Sequence, residues 1–310
     1  MAIFVDFSNL TYCGEEGQKI FSHDLYNLDL LRSGITAMDG IKTKAKLYTG
    51  ELGNVWQKYT CPFEPTTGAS LDESYIETAP IKVNLEECFD AFWNNYLVES
   101  TQISLRGEIP APFSEWFFNK LREKMSSEYQ EIFWKGDTKK TGYLSVIDGI
   151  EKQLEANAGT KIEGAAFTVD NAVSQVEAAV SAALAKAASL GVAMDDYKVF
   201  MNHSDAALLR IALGKICCTP LAGFSNYGIE NGRMTVFGFE IVETVQSRGS
   251  IIVAPAKNLV IGFDTYASSI EYKLIDMRET TGDNMFRIIA VSNIGAGVVF
   301  PELAVYSRIV

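Results

Sequence analysis

Residues 41–83 cannot form a core of their own, and that restricts what the whole chain can be. Turn signals punctuate the stretch at Thr49-Gly50, Leu52-Gly53-Asn54, Cys61-Pro62, Glu64-Pro65 and Thr67-Gly68. Between them lie strand-like pieces, AKLYT and ESYIETAPIKV, the second partly alternating. A hairpin with arms of about 16 residues reaches roughly 50 Å at ~3.3 Å per residue. A two-stranded ribbon of that length is marginal unless it packs on something. Its five acids and five lysines leave it nearly neutral. Residues 1–40 pose the same problem. They are polar and acidic, with apolar residues only in short clusters such as Ile3-Phe4-Val5. Leu25, Leu28 and Leu31 suggest a helical turn or two. This is an arm that needs another surface to lie on.

The rest of the chain is different. In residues 84–136 the spacing predicts two helices. Asn84 caps the first, with Glu87 in a capping-box arrangement and a stripe of Leu85, Cys88, Phe89, Phe92 and Tyr96. Ser114 caps the second, whose stripe runs Phe117, Phe118, Leu121, Met125, Tyr129, Ile132 and Phe133 up to Gly136. At 20 or so residues it would span about 30 Å.

Residues 137–256 read as a compact α/β unit. A helix is expected around 143–156 on Leu144, Ile147, Ile150 and Leu154. Asp170 caps another, striped by Val173, Val176, Val180, Leu184 and Ala187 and closed by Gly191. The strand YKVFM and a short helix from Ser204 to Leu213, stopped by Gly214, come next. A loop of about 18 residues, 215–232, precedes the strands MTVFGFEIVETV and SIIVAPA; a loop that long inside a compact unit is usually functional. Residues 257–310 are β-rich, with a hairpin signal at Thr281-Gly282-Asp283.

Charge and composition exclude several classes. With 39 acidic and 27 basic residues the net charge is −12, the wrong sign for a nucleic-acid reader or an anionic membrane surface. The five cysteines are odd in number and irregular, with Cys217 and Cys218 adjacent, which fits free thiols in a reducing compartment. MAIFVDFSNL has no basic start and carries Asp6, so no signal peptide is expected, and the apolar runs are too interrupted to span a bilayer.

No catalytic constellation emerges. His23 and His203 are far apart, and His203 reads as a polar turn residue. No HExxH, CxxC pair or EF-hand loop is present, so no metal or cofactor is expected. Gly136–Gly142 lacks the GK[ST] ending of a P-loop. Gly295-Ala296-Gly297 lacks a third glycine and opens no helix, and Gly223–Gly228 is not GxSxG.

An ordered series in the second half is more informative. YKVFMNHSDAALLRIALG, MTVFGFEIVETV, GSIIVAPAKNLVIGFD and MFRIIAVSNIGAGVVFPELAVYSRI together resemble tailed-bacteriophage major capsid proteins of the Hong Kong 97-like fold. The last piece carries Arg287, Ala290, Gly295, Ala296, Val298, Pro301 and Glu302, and IFWKGDTKKTGYLSVIDGIEKQL (132–154) is similar to the stretch after the family's long helix. The resemblance covers about 180 residues by sequence and the remainder by order of elements. It implies an α+β capsid fold: an N-terminal arm (1–40), an extended E-loop hairpin (41–83), a peripheral domain with a long spine helix (84–136), an axial α/β domain (137–256) and a β-rich return segment (257–310).

The resemblance further implies a non-enzymatic shell subunit that forms hexamers and pentamers around double-stranded DNA. The DNA would be enclosed without sequence-specific contacts, in a virion assembled in the host cytoplasm, with a portal and a separate scaffolding protein as partners and no membrane. The assembly contacts expected on this basis are Trp56, Lys58, Tyr59 and Phe63 in the hairpin, with Phe224, Asn226 and Tyr227 near the capsomer axis. An encapsulin-like nanocompartment shell shares the fold. A soluble α/β enzyme with an unrecognised site and a phage tail or adhesin component are the readings from other classes.

Overall fold

The computed structural model describes residues 11–13, 31, 33–52, 56, 58–59, 69–105, 113–216, 227–230, 233–264, 271–277 and 281–309. Two sheets organise them. The first holds β1 (Thr11–Cys13), β2 (Thr36–Met38), β3 (Lys44–Leu52), β4 (Ala69–Cys88), β11 (Leu259–Phe263), β12 (Glu271–Asp276) and β13 (Met285–Val298). Its path is β1-β12-β13-β11-β2, with β4 pairing both β13 and β3. The second runs β5-β14-β10-β6-β9-β8-β7. Its members are β5 (Thr160–Gly164), β6 (Tyr197–Asn202), β7 (Tyr227–Glu230), β8 (Arg233–Val236), β9 (Phe239–Thr244), β10 (Ile251–Pro255) and β14 (Val305–Ile309).

Among the described residues five helices pack on these sheets: α1 (Phe89–Leu105), α2 (Phe113–Lys135), α3 (Ile150–Asn157), α4 (Ala172–Leu190) and α5 (His203–Ile216). The second sheet is covered on both faces, which is why its central strands are apolar without alternation. Val199, Met201, Ile251 and Val253 face α4 and α5, while Phe200, Ile252 and Ala254 face the opposite way. That second face meets the C-terminal half of α2, α3 and the apolar side of the first sheet in one shared core. Trp134, fully buried, stacks on Phe200 with ring centroids 5.5 Å apart, and so joins the long helix to the second sheet. Smaller clusters sit where α1 meets α2, around Phe117, Phe286 and Ile288, and at the base of the β3–β4 ribbon, around Ile41, Ile76 and Val260.

The long helix runs Phe113–Lys135, so Ser114 lies within its first turn and does not cap it, while Gly136 follows its end as expected. A Cβ at Gly136 would meet two carbonyl oxygens at 2.5 Å, and one at Gly149 would lie 2.7–2.8 Å from Gly136, Phe133 and Trp134 backbone atoms. The helix end and the start of α3 touch backbone to backbone, which only glycine permits.

Several local expectations change. Residues 84–88 are strand, not helix: β4 continues to Cys88 and α1 begins at Phe89. The Asn84–Glu87 capping pattern yields to eleven residue pairings with β13, from Gly295↔Thr78 to Met285↔Cys88, which satisfy the backbone in the sheet. The helix expected over 143–156 is confined to Ile150–Asn157, after a 3₁₀ turn at Tyr143–Ser145. Asn171, not Asp170, is the residue flanking α4; its carboxamide oxygen accepts the Thr168 N–H. Gly191 closes α4 in the left-handed region, as its position suggested.

Gly214 does not stop α5, which runs to Ile216, because the glycine is solvent-exposed and costs only about 1 kcal/mol there. MTVFGFEIVETV is two strands, split by Phe237 and Gly238, both at positive φ. The arm is in part integral to its own subunit: Thr36–Met38 pairs in parallel with Val260–Gly262, and Ile35 is buried in the shared core. Removing residues 1–40 therefore damages the fold itself. The return segment divides, with β11–β13 in the first sheet and β14 in the second, between β5 and β10.

Candidate assembly site

The β3–β4 ribbon leaves the first sheet where β4 crosses the end of β13. Up to Thr78, β4 pairs with β13; beyond it, Lys44–Leu52 and Glu77–Ala69 pair only with each other. Nine pairs at ~3.3 Å give a ribbon of about 30 Å. Glycines make the crossing possible. A Cβ at Gly295 would approach the Glu77 carbonyl oxygen to 2.5 Å, and one at Gly297 would approach the Ile76 side chain to 2.7 Å. Ile76 is fully buried and anchors the base of the ribbon. Beyond it Tyr75 is partly exposed, with the Lys44 ammonium 4.1 Å from its ring centre and 2.7 Å from Glu77 Oε1. The Glu77 hydrogen bond holds the Lys44 pKa above its ordinary value.

Trp56 is 97% exposed and Tyr59 88%, and Lys58 is exposed as well. A single exposed apolar residue is ordinary; here two large aromatics three positions apart, between β3 and β4, are both exposed. Phe63, Phe224 and Asn226 lie outside the described residues. Tyr227 opens β7, opposite Val236, in the hairpin at the margin of the second sheet. The structure thus brings Trp56, Lys58 and Tyr59 to one end of the ribbon, and Tyr227 belongs to the other sheet.

A second organised region had no sequence signal beyond scattered polar residues. The 244–250 turn between β9 and β10 is bound by buried side chains from three elements. Glu151 of α3 accepts the Ser247 N–H at 2.7 Å and the Ser247 and Ser250 hydroxyls at 2.6 and 2.9 Å. Asp205 of α5 accepts the Gly249 N–H at 2.6 Å, and the Asn202 amide donates to the Gln246 carbonyl at 2.5 Å. The Gln246 amide donates to the Phe200 carbonyl at 3.2 Å. Burial, reinforced by the Glu151 charge, raises the Tyr306 phenol far above its ordinary value. Together these hydrogen bonds fix the turn against α3, α5 and β6.

The loop after α2 is held in a similar way. Asp137 pairs with Lys152, and Asp148 accepts the Thr138 N–H and hydroxyl at 2.9 and 2.8 Å. The Lys152 hydrogen bond lowers the Asp137 pKa and raises that of Lys152. The depressed Asp137 contributes stability above its unfolded value near pH 4 and loses it as pH falls through the folded value. The raised Lys152 contributes below about pH 10 and loses it above. The pair therefore holds the loop between those limits. Thermal melts of Asp137→Asn should lie below wild type at pH 7 and converge with it as the pH falls below the ordinary carboxylate range; a gap that stays constant into acid would show that the pair does not stabilise the loop.

His203 is the exposed first residue of α5. Among the described residues no group of three or more His, Cys, Asp or Glu could hold a metal, and no helix is long and apolar enough to cross a membrane.

No family profile matches this sequence, and no curated protein sequence matches it. Solved structures do match. The procapsid of satellite phage P4, described with its size-determination protein, aligns over 94% of this chain and 90% of that one, at 12% identity and a TM-score of 0.60. This chain has the phage-capsid fold. The capsid of Myoviridae phage XM1 aligns over 92% of both chains at 11% identity and TM-score 0.56, and the capsid of the empty GTA particle over 90% and 89% at 14% and 0.55. Near-complete coverage of both partners means that the match extends along almost the whole chain and not to one part of it. The α+β capsid fold implied by the resemblance is the fold observed.

Proposed function

We propose that this chain is the major capsid subunit of a tailed phage. Copies of it would form the hexamers and pentamers of an icosahedral head that encloses double-stranded DNA. The observation that carries this reading is the joint one of capsid fold and exposed ribbon. A ribbon of about 30 Å ending in a nearly fully exposed Trp56 and Tyr59 has no use in a solitary subunit. In a shell the same residues lie on neighbouring copies, and their ordering cost is offset by contact between subunits.

The net charge of −12 fits a wall that encloses DNA without adhering to it. A portal and a separate scaffolding protein complete the reading, with the virion as the place of action and the host cytoplasm as the place of assembly. The chain in this role is structural and carries out no reaction of its own.

Negative-stain electron microscopy of the purified protein, with light scattering for size, is the direct test. Closed shells, or rings of five and six copies, are expected, alone or with the scaffolding protein of the same phage. A chain that stays monomeric at high concentration in both conditions would refute the reading.

A further inference from the structure

A cleft of about 200 Å³ opens where the end of α2, α3, the 244–250 turn and β14 meet. We propose that it binds a phosphate dianion, either free or as the terminal group of a nucleotide. The inference rests on the geometry of the subunit and not on the shell reading.

The cleft gathers positive charge in an acidic chain. Lys135 at the end of α2, Lys140 in the loop that follows, Lys152 of α3, Arg248 of the turn and Arg308 of β14 all line it. Three carboxylates face them, those of Asp137, Glu151 and Glu155. The local surplus is two positive charges, in a chain whose net charge is −12.

The carboxylates are already engaged within the fold. Asp137 pairs with Lys152 and Glu155 with Arg308. Glu151 is buried and accepts the Ser247 N–H and the Ser247 and Ser250 hydroxyls. Lys135 and Lys140 make no ion pair among the described residues. Arg248 approaches Asp205 only to 4.0 Å, the outer limit of an ion pair, with its side chain mostly exposed. A concavity with low-dielectric walls focuses such a surplus and raises the local concentration of anions.

The backbone carrying these cations is fixed in advance. On one side of Arg248 the Ser247 N–H is held by Glu151, and on the other the Gly249 N–H is held by Asp205. The Lys140 N–H donates to the Asp137 carbonyl at 2.9 Å, in a loop that Asp148 fastens through Thr138. A site that needs little ordering on binding keeps more of its contact energy as affinity.

The chemistry selects the ligand. The Arg248 guanidinium and the two lysine ammoniums are donors only, which calls for an acceptor with several oxygens. A carboxylate offers two oxygens and one charge, and each phosphodiester of DNA carries one charge. A phosphate monoester carries about −1.5 to −2 at pH 7 on three terminal oxygens, which matches both the surplus and the three unpaired cations.

Equilibrium dialysis of the full chain against radiolabelled inorganic phosphate, in chloride buffer of fixed ionic strength, tests the proposal. A single saturable site per chain is expected. Lys140→Gln with Arg248→Gln removes two exposed cations of the cleft and should weaken binding at least about tenfold. Lys124→Gln with Lys139→Gln removes the same charge from exposed positions outside the cleft and should leave the affinity within about twofold. If the cleft double variant melts well below wild type, each of its single substitutions replaces it, with an expected loss of at least about threefold. Competition by a nucleoside monophosphate separates the two sources. Displacement at lower concentration than free phosphate assigns the site to a nucleotide; weaker displacement or none assigns it to the free anion. No saturable binding, an undiminished affinity in the cleft variants or an equal loss in the control would overturn the proposal. So would displacement by duplex DNA at a phosphate concentration where the monophosphate has no effect.

Discussion

Replacing Trp134 with alanine is expected to destabilise the subunit by about 3–5 kcal/mol, enough to remove much of the stability of an ordinary domain. The indole is fully buried, packs edge-on to Phe133 at 5.2 Å and lies against Phe200 at 5.5 Å. On one side is the backbone contact between Gly136 and Gly149, and on the other the centre of the second sheet. Chemical denaturation of Trp134→Ala with a lowered midpoint checks it. Trp134→Phe should recover part of the loss, since most of the apolar volume returns. A midpoint within 1 kcal/mol of wild type for the alanine variant would mean that the long helix is not coupled to the second sheet through this residue.

The opposite result is expected at the ribbon loop. Trp56→Ser with Tyr59→Ser should leave the melting temperature unchanged, because neither side chain touches its own subunit appreciably. Assembly should suffer instead. An aromatic anchor in an interface is typically worth about 2 kcal/mol or more, so the concentration needed for shells rises by roughly 30-fold or more. Light scattering against concentration measures this threshold for both proteins. An unchanged threshold would show that these aromatics face solvent in the shell. Trp134 and Trp56 thus separate folding from association: one residue type, buried in the shared core in one case and bare in the other.

Much of this division was legible in the residues. The inability of 41–83 to bury itself, the long helix ending at Gly136, the apolar strands YKVFM and SIIVAPA and the hairpin at Gly282 are local patterns, and local patterns survive folding where the backbone partners are near in sequence. The ordered series in residues 197–309 carried the fold class. What misled was also local. Asn84 and Glu87 satisfy the grammar of a helix start, yet Ala79, Ile81, Val83 and Leu85 alternate with Pro80, Lys82, Asn84 and Glu86 just as consistently. Two periodicities overlapped, and β13, some two hundred residues away, selected the strand.

The sequence by itself determined which segments are self-sufficient, because apolar periodicity and charge are properties of neighbours along the chain. It also determined that the exposed aromatics fall in a turn-rich stretch. Only the tertiary structure decided that Ile35 and Thr36–Met38 belong to the subunit's own core, and that Glu151, Asp205 and Gln246 converge on one turn. Each of these depends on which strand lies next to which, and that choice is made by burial and backbone pairing between residues far apart in sequence, where no local pattern can specify it.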